Sequence, residues 1–149
     1  AVLALIVAVF GYSVLHGSGG NSQGTVDFAG TPEPTFAPEV KFVSPLNGDT
    51  VSNPVTVKVA AGGVRISPAS EPVDPQAGHF RILLDAPPLV VGQTPPAEQT
   101  LADLTDASHV IELPPLSTGD HRLTVVFERS DHIPVEPLLT DEITIHVGG

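Results

Sequence analysis

Two Asp-His pairs, Asp120-His121 and Asp131-His132, are the residues whose types and spacing most suggest chemistry. An imidazole beside a carboxylate is a donor set for a transition metal, with the carboxylate as ligand or as orienting partner. The pairs flank one strand-like run and the segment after it, so they converge only if the chain turns back there. Asp and His are also ordinary turn residues, and both pairs border predicted loops, which is the simpler account. Asp103 with Asp106, and Asp141 with Glu142, are neighbouring carboxylates in loops, where a solvated surface explains them better than acid/base catalysis. No Asp-x-Asp-x-Asp-Gly calcium loop occurs, and no Gly-rich phosphate loop joins a strand to a helix. Gly-x-Ser-x-Gly is also absent; Gly17-Ser18-Gly19 falls in a linker-like stretch. With no cysteine there is no thiol catalysis, Cys-ligated zinc, iron–sulfur cluster or disulfide framework. The expectation is a protein that is not an enzyme and carries no catalytic cofactor.

Whatever these residues do, the elements that position them are strands. From Lys41 onward the apolar period is two. Val55-Thr56-Val57-Lys58-Val59 alternates cleanly, Phe80, Ile82 and Leu84 alternate with His79, Arg81 and Leu83, and Leu123, Val125 and Phe127 share one face. Val110-Ile111-Glu112-Leu113 is short and stops at Pro114-Pro115, and Ile143-Thr144-Ile145-His146-Val147 ends the pattern with His146 facing out. Most of the 16 prolines lie among these runs, leaving little room for a helix. Ala97–Leu104, after Pro95-Pro96, is the one candidate for a helical turn or two. Six or seven short strands over 41–149 predict an all-β, immunoglobulin-like β-sandwich, without the Cys pair and core Trp of antibody domains.

Residues 1–16 have a different composition. Residues 1–15 carry no charge and almost no polar group, with Tyr12 near the far end and His16 after it. At 1.5 Å per residue such a helix is about 22–25 Å long, somewhat short of a hydrocarbon core, and a few apolar residues upstream would complete a span. No Ala-x-Ala site follows, as a cleaved signal would need, and no amphipathic stripe marks a core helix. The reading is a transmembrane anchor over 1–16 that touches the lipid bilayer. No Lys or Arg occurs before Lys41, which favours placing the C-terminal domain outside. Residues 17–40 are Gly/Ser-rich, then Pro-spaced, and read as a linker in which Phe28 and Phe36 are candidate partner contacts.

The motifs of the sandwich region resemble a known family. Phe42-x-x-Pro45-x-x-Gly48-x-x-Val51 precedes the Val-rich strand, and Gly78-His79-x-x-x-Leu83-Leu84-Asp85 follows it. Then come Leu113-x-x-Leu116-x-x-Gly119-x-His121-x-Leu123, Asp131-His132-x-Pro134 and Ile143-Thr144-Ile145-x-Val147. This order is similar to that of the DUF4399 family of bacterial exported domains over residues 42–147. Members are rich in His around these motifs, which implies a metal site in some of them. Here Phe80 and Arg81 follow His79, Val135 follows Pro134, and Leu101–His109 keeps only His109, so the resemblance leaves His79, His121 and His132.

The function expected on these grounds is a non-catalytic accessory subunit in the bacterial inner membrane. Its extracytoplasmic sandwich and linker would stabilise a larger membrane protein complex, for example a respiratory or photosynthetic one, whose other subunits are its partners. The alternative is a periplasmic metal- or ligand-binding module using His79, His121 and His132, which requires the three imidazoles to converge. A carbohydrate-binding module is disfavoured by one Tyr and no Trp. Nucleic acid is excluded as a partner, because 6 Lys+Arg stand against 17 Asp+Glu, for a net charge of −11.

Overall fold

The computed structural model describes residues 37–105 and 109–149. The predicted anchor over 1–16, with Tyr12 and His16, lies outside the described residues. So do Phe28, Phe36, nearly all of the linker, and Asp106. Among the described residues, no helix is long and apolar enough to cross a membrane.

Among the described residues nine strands follow one another: β1 (Glu39–Ser44), β2 (Thr50–Val51), β3 (Thr56–Gly62), β4 (Arg65–Ile66), β5 (Ala77–Leu84), β6 (Thr100–Leu104), β7 (Val110–Glu112), β8 (Gly119–Glu128) and β9 (Thr140–Val147). They form two sheets, one of order β1-β3-β7 and a larger one of order β2-β9-β8-β5-β4, with β6 also paired to β5. The inward positions predicted by alternation meet between the sheets. Val40, Phe42, Val57 and Val59 come from one side, and Phe80, Ile82, Leu123, Val125, Phe127, Ile143 and Ile145 from the other. The all-β sandwich expected from the period-two pattern is therefore the observed architecture.

Three boundaries differ from the expectation. Strand β1 begins at Glu39, inside the stretch read as linker, because Val40 and Phe42 alternate into the core together. Only Ala97–Gln99 forms a helical turn, of the 3₁₀ kind, and Thr100–Leu104 instead pairs with β5 as a strand. Its partner strand has two faces to cover, and pairing satisfies the backbone of β6 better than an isolated turn of helix could. The extra strands beyond seven are the two-residue pieces β2 and β4, too short to leave an alternation pattern.

Strand β5 is buried from Ala77 to Leu83 on both faces, unlike the half-buried strand its alternation suggested. The outer face of its sheet is covered near Leu83 and Val126 by Ala86, with Leu89 and Leu138 packed alongside. Further along that same face the covering side chains are polar, and they form the site.

Candidate metal centre

Phe80 and Ile82 of β5 point into the core, so His79, Arg81 and Leu83 point to the outer face. On β8, Leu123, Val125 and Phe127 point inward, leaving Thr124, Val126 and Glu128 outside. The antiparallel register sets His79 directly opposite Glu128. On the other flank of β5, Arg81 stands opposite Asp103 of β6. Gly78 permits this close approach of β5 and β8: a Cβ there would fall 1.8 Å from the Glu128 carbonyl oxygen.

Beyond Glu128 the chain turns back over the sheet. The His132 N–H donates to the Arg129 carbonyl (2.9 Å), and the Arg129 N–H donates to the Ile133 carbonyl (3.0 Å). The Asp131 carboxylate accepts from the Arg129 guanidinium (2.7 Å) and from the Ile133 N–H (3.3 Å), tying the turn together. His132 sits at φ 60°, in the left-handed region that His enters more readily than most residues. The result is an imidazole laid over Glu128.

His79 Nε2, His132 Nδ1 and Glu128 Oε2 are 3.2, 3.7 and 3.9 Å apart in pairs. Atoms so spaced surround a point about 2 Å from each, the usual bonding distance for zinc to imidazole nitrogen and carboxylate oxygen. His79 and Glu128 are fully buried, and the His132 side chain is 40% exposed, so the cluster opens to solvent on the His132 side. Arg81 completes the group. Its guanidinium donates to Asp103 through Nε (2.7 Å) and to His132 Nδ1 through a terminal nitrogen (2.8 Å). It approaches Glu128 Oε2 only to 3.5 Å.

Hydrogen bonding leaves this cluster incomplete. Neither Glu128 oxygen nor His79 Nδ1 has a hydrogen-bond partner among the described residues, and buried polar atoms without partners are rare in folded proteins. Burial pushes the Glu128 carboxyl up to about 7, although Arg81 pulls it the other way. Burial, with His132 and Arg81 nearby, holds the His79 imidazole below its ordinary value, against the opposing charge of Asp103. A neutral imidazole is the form that binds metal. Two imidazoles and one carboxylate facing a common point, with coordination positions left over, suit a first-row divalent cation.

His121 does not join this cluster. It stands at the far end of β8 from Glu128, about 23 Å away at the strand rise of ~3.3 Å per residue. It also has the parity of Leu123, whereas Glu128 has that of Thr124. The expectation of three converging imidazoles is therefore corrected: His79 and His132 meet, and Glu128 takes the third place. The Asp-His pairs are likewise not partners. Asp131 holds Arg129 within the turn after β8. Asp120 contacts His146 Nδ1 at 2.6 Å across the register with β9, because Asp120 and its strand neighbour His121 point to opposite faces. His146 is exposed on β9, as its alternation indicated.

His121 has a second set of contacts that needs a decision. Its Nδ1 is 2.9 Å from Asp85, and its Nε2 is 3.0 Å from the Ser117 hydroxyl, which are the distances of a nucleophile–base–acid relay. Nε2 is equally close, at 3.0 Å, to the Ser117 carbonyl oxygen, which can only accept. N–H groups directed at both Asp85 and that carbonyl would make the ring an imidazolium, with no lone pair for the hydroxyl proton. The raised pKa of His121, caused chiefly by its hydrogen bond to Asp85, agrees. His121 thereby ties Asp85, just after β5, to the loop before β8.

Glu128 and Arg81 are the members that sequence reasoning missed. Glu128 looks like the polar end of an apolar strand, and only the register with His79 reveals it as buried. The one local signal is the four-residue interval from Glu128 to His132 across the Asp131 turn.

A family model described as a domain of unknown function, DUF4399, matches residues 57–148, which hold all four residues of the cluster. No curated protein matches the chain. Among solved structures, the chain is similar to the fibronectin(III)-like modules of Clostridium thermocellum CbhA, with a TM-score of 0.47 and 13% identity over 72% of this chain and 94% of that one. An engineered protein gives a TM-score of 0.45 and 17% identity over 76% of this chain and 20% of the other. A double mutant of the Cellulomonas fimi endo-beta-1,4-mannanase gives 0.39 and 16% over 73% and 18%. This chain thus spans nearly all of the first structure and about a fifth of each of the other two.

Proposed function

Because the chain belongs to the DUF4399 family, whose activity the family description leaves open, its function rests on its own site, and we propose that it is a metal-binding β-sandwich module. The cation is a first-row divalent ion held by His79 Nε2, His132 Nδ1 and Glu128 Oε2. One observation carries the reading: a fully buried glutamate, without a hydrogen bond at either oxygen, beside two imidazole nitrogens at 3.7 and 3.9 Å. A cation at the common point would neutralise the carboxylate and raise the polar contacts of every donor at once. The module works without catalysis, as a binding or delivery domain.

Cobalt(II) titration of the metal-stripped full-length chain in mild detergent tests this directly. Visible absorption bands of a bound, low-symmetry cobalt ion are expected, and they should vanish in His79→Ala and in Glu128→Ala. Equal binding by wild type and both variants would overturn the assignment.

A second reading concerns where the module works, and the uncharged run 1–16 ahead of a Gly/Ser/Pro-rich stretch favours it. In this reading residues 1–16 anchor the chain in a bacterial inner membrane with the sandwich outside. The module then serves as an accessory subunit of a membrane complex. Recovery of the chain from native membranes as a lone monomer, or its release by salt without detergent, would count against it.

A further inference from the structure

We propose that Arg81 is a built-in competitor for the metal, so that loading the site exchanges one cation for another. The proposal rests on the metal-binding reading and adds how the site is regulated. The His132 Nδ1 lone pair is single and lies in the ring plane, and Arg81 already donates to it at 2.8 Å. The same guanidinium is 3.5 Å from Glu128 Oε2. Arg81 thus occupies one donor fully and a second by charge, and a divalent ion at the common point meets a fixed positive charge as well as a blocked nitrogen.

The structure also holds the place to which Arg81 can retreat. Its contact with Asp103 is lopsided, 2.7 Å through Nε and 3.5 Å through the terminal nitrogen. That 3.5 Å nitrogen is the one bonded to His132. Drawing it onto Asp103 completes a two-pronged guanidinium–carboxylate pair, a strong arrangement, and frees His132 Nδ1 by the same movement. Asp103 lies across the register on β6, and its side chain is partly exposed, so the paired state can form at the edge of the buried cluster. The consequence is a site of tempered affinity that loads and unloads, in contrast to a structural metal site. Arg81 and Asp103 set that affinity without being ligands.

Zinc affinity of the full-length chain, metal-stripped and in detergent, is measured by competition with a chromophoric chelator at about pH 8, where proton competition at Glu128 is small. Arg81→Met keeps the buried stem and removes the charge; it should bind zinc about tenfold tighter or more. Asp103→Asn removes the retreat position and should bind several-fold more weakly. In wild type, the Arg81 side-chain NMR signal should move on loading. If wild type binds zinc and Arg81→Met binds equally or less tightly with its far-UV circular dichroism intact, the competitor role is overturned. Should Arg81→Met fail to fold, an unchanged or tighter Asp103→Asn overturns it, as does an Arg81 signal that stays fixed during loading. If neither wild type nor a folded Arg81→Met binds zinc, the metal site itself falls, and this inference falls with it.

Discussion

At the scale of single residues, Glu128 carries the tension in this protein. A carboxyl held near 7 by burial is worse off ionised in the folded chain than in the unfolded one. Its folded pKa lies above the ordinary 4.5, so its drag on stability is absent below the unfolded value and grows as pH rises through about 7. Glu128→Gln should therefore stabilise the metal-free protein above neutral pH, by on the order of 2 kcal/mol, while abolishing cobalt binding. Urea melts of both proteins at several pH values check this; a variant less stable than wild type at high pH would refute it. The His121–Asp85 pair has the opposite sense. Here the hydrogen bond that His121 donates to Asp85 raises the His121 pKa, so the stabilisation is complete below the unfolded value near 6.5 and is lost as pH rises through the higher folded value. In Asp85→Asn the His121 titration, followed by NMR, should move down, whereas the titration of a simple surface histidine would not respond.

At the scale of elements, β5 and β8 are the frame on which the site hangs, and Gly78 sets their distance. A methyl group at 78 would collide with backbone atoms of Glu128 and Arg129, which cannot move aside as a side chain can. Gly78→Ala should cost about 3 kcal/mol or more in denaturant unfolding. Gly48, in the turn docked on β9, has open space around its Cβ but a φ of +87°, so Gly48→Ala should cost less, about 1 kcal/mol, through backbone strain alone. The turn after β8 is the other positioning element. Asp131→Ala removes the carboxylate that ties Arg129 to Ile133 and touches no proposed ligand. Cobalt affinity should nevertheless fall in that variant, because His132 is no longer held over Glu128.

For the whole molecule, the family-matched residues 57–148 carry the candidate site and the strands from β3 onward, while β1 and β2, which complete the two sheets, precede them. The proposed metal site is separated by the length of β8 from His121 at the other end. Alternation alone made the sandwich legible, since Val55–Val59, Phe80–Leu84 and Leu123–Phe127 could bury their apolar sets only between two sheets. The family resemblance put His79 and His132 on the shortlist, and the fold brings their imidazoles together. His121 was drawn in by the same resemblance, but its parity on β8 and its place at the strand's far end keep it away from Glu128. Glu128 and Arg81 could not be found that way. A strand's own sequence tells which residues share a face, but the register against β5 and β6 decides which faces meet, and register depends on contacts far apart in the chain. By itself, then, the sequence determined the period of the strands, the lack of any cysteine, and a shortlist of imidazoles. Tertiary structure decided which side chains meet, because only packing places a glutamate with no hydrogen bond beside two histidines and an arginine.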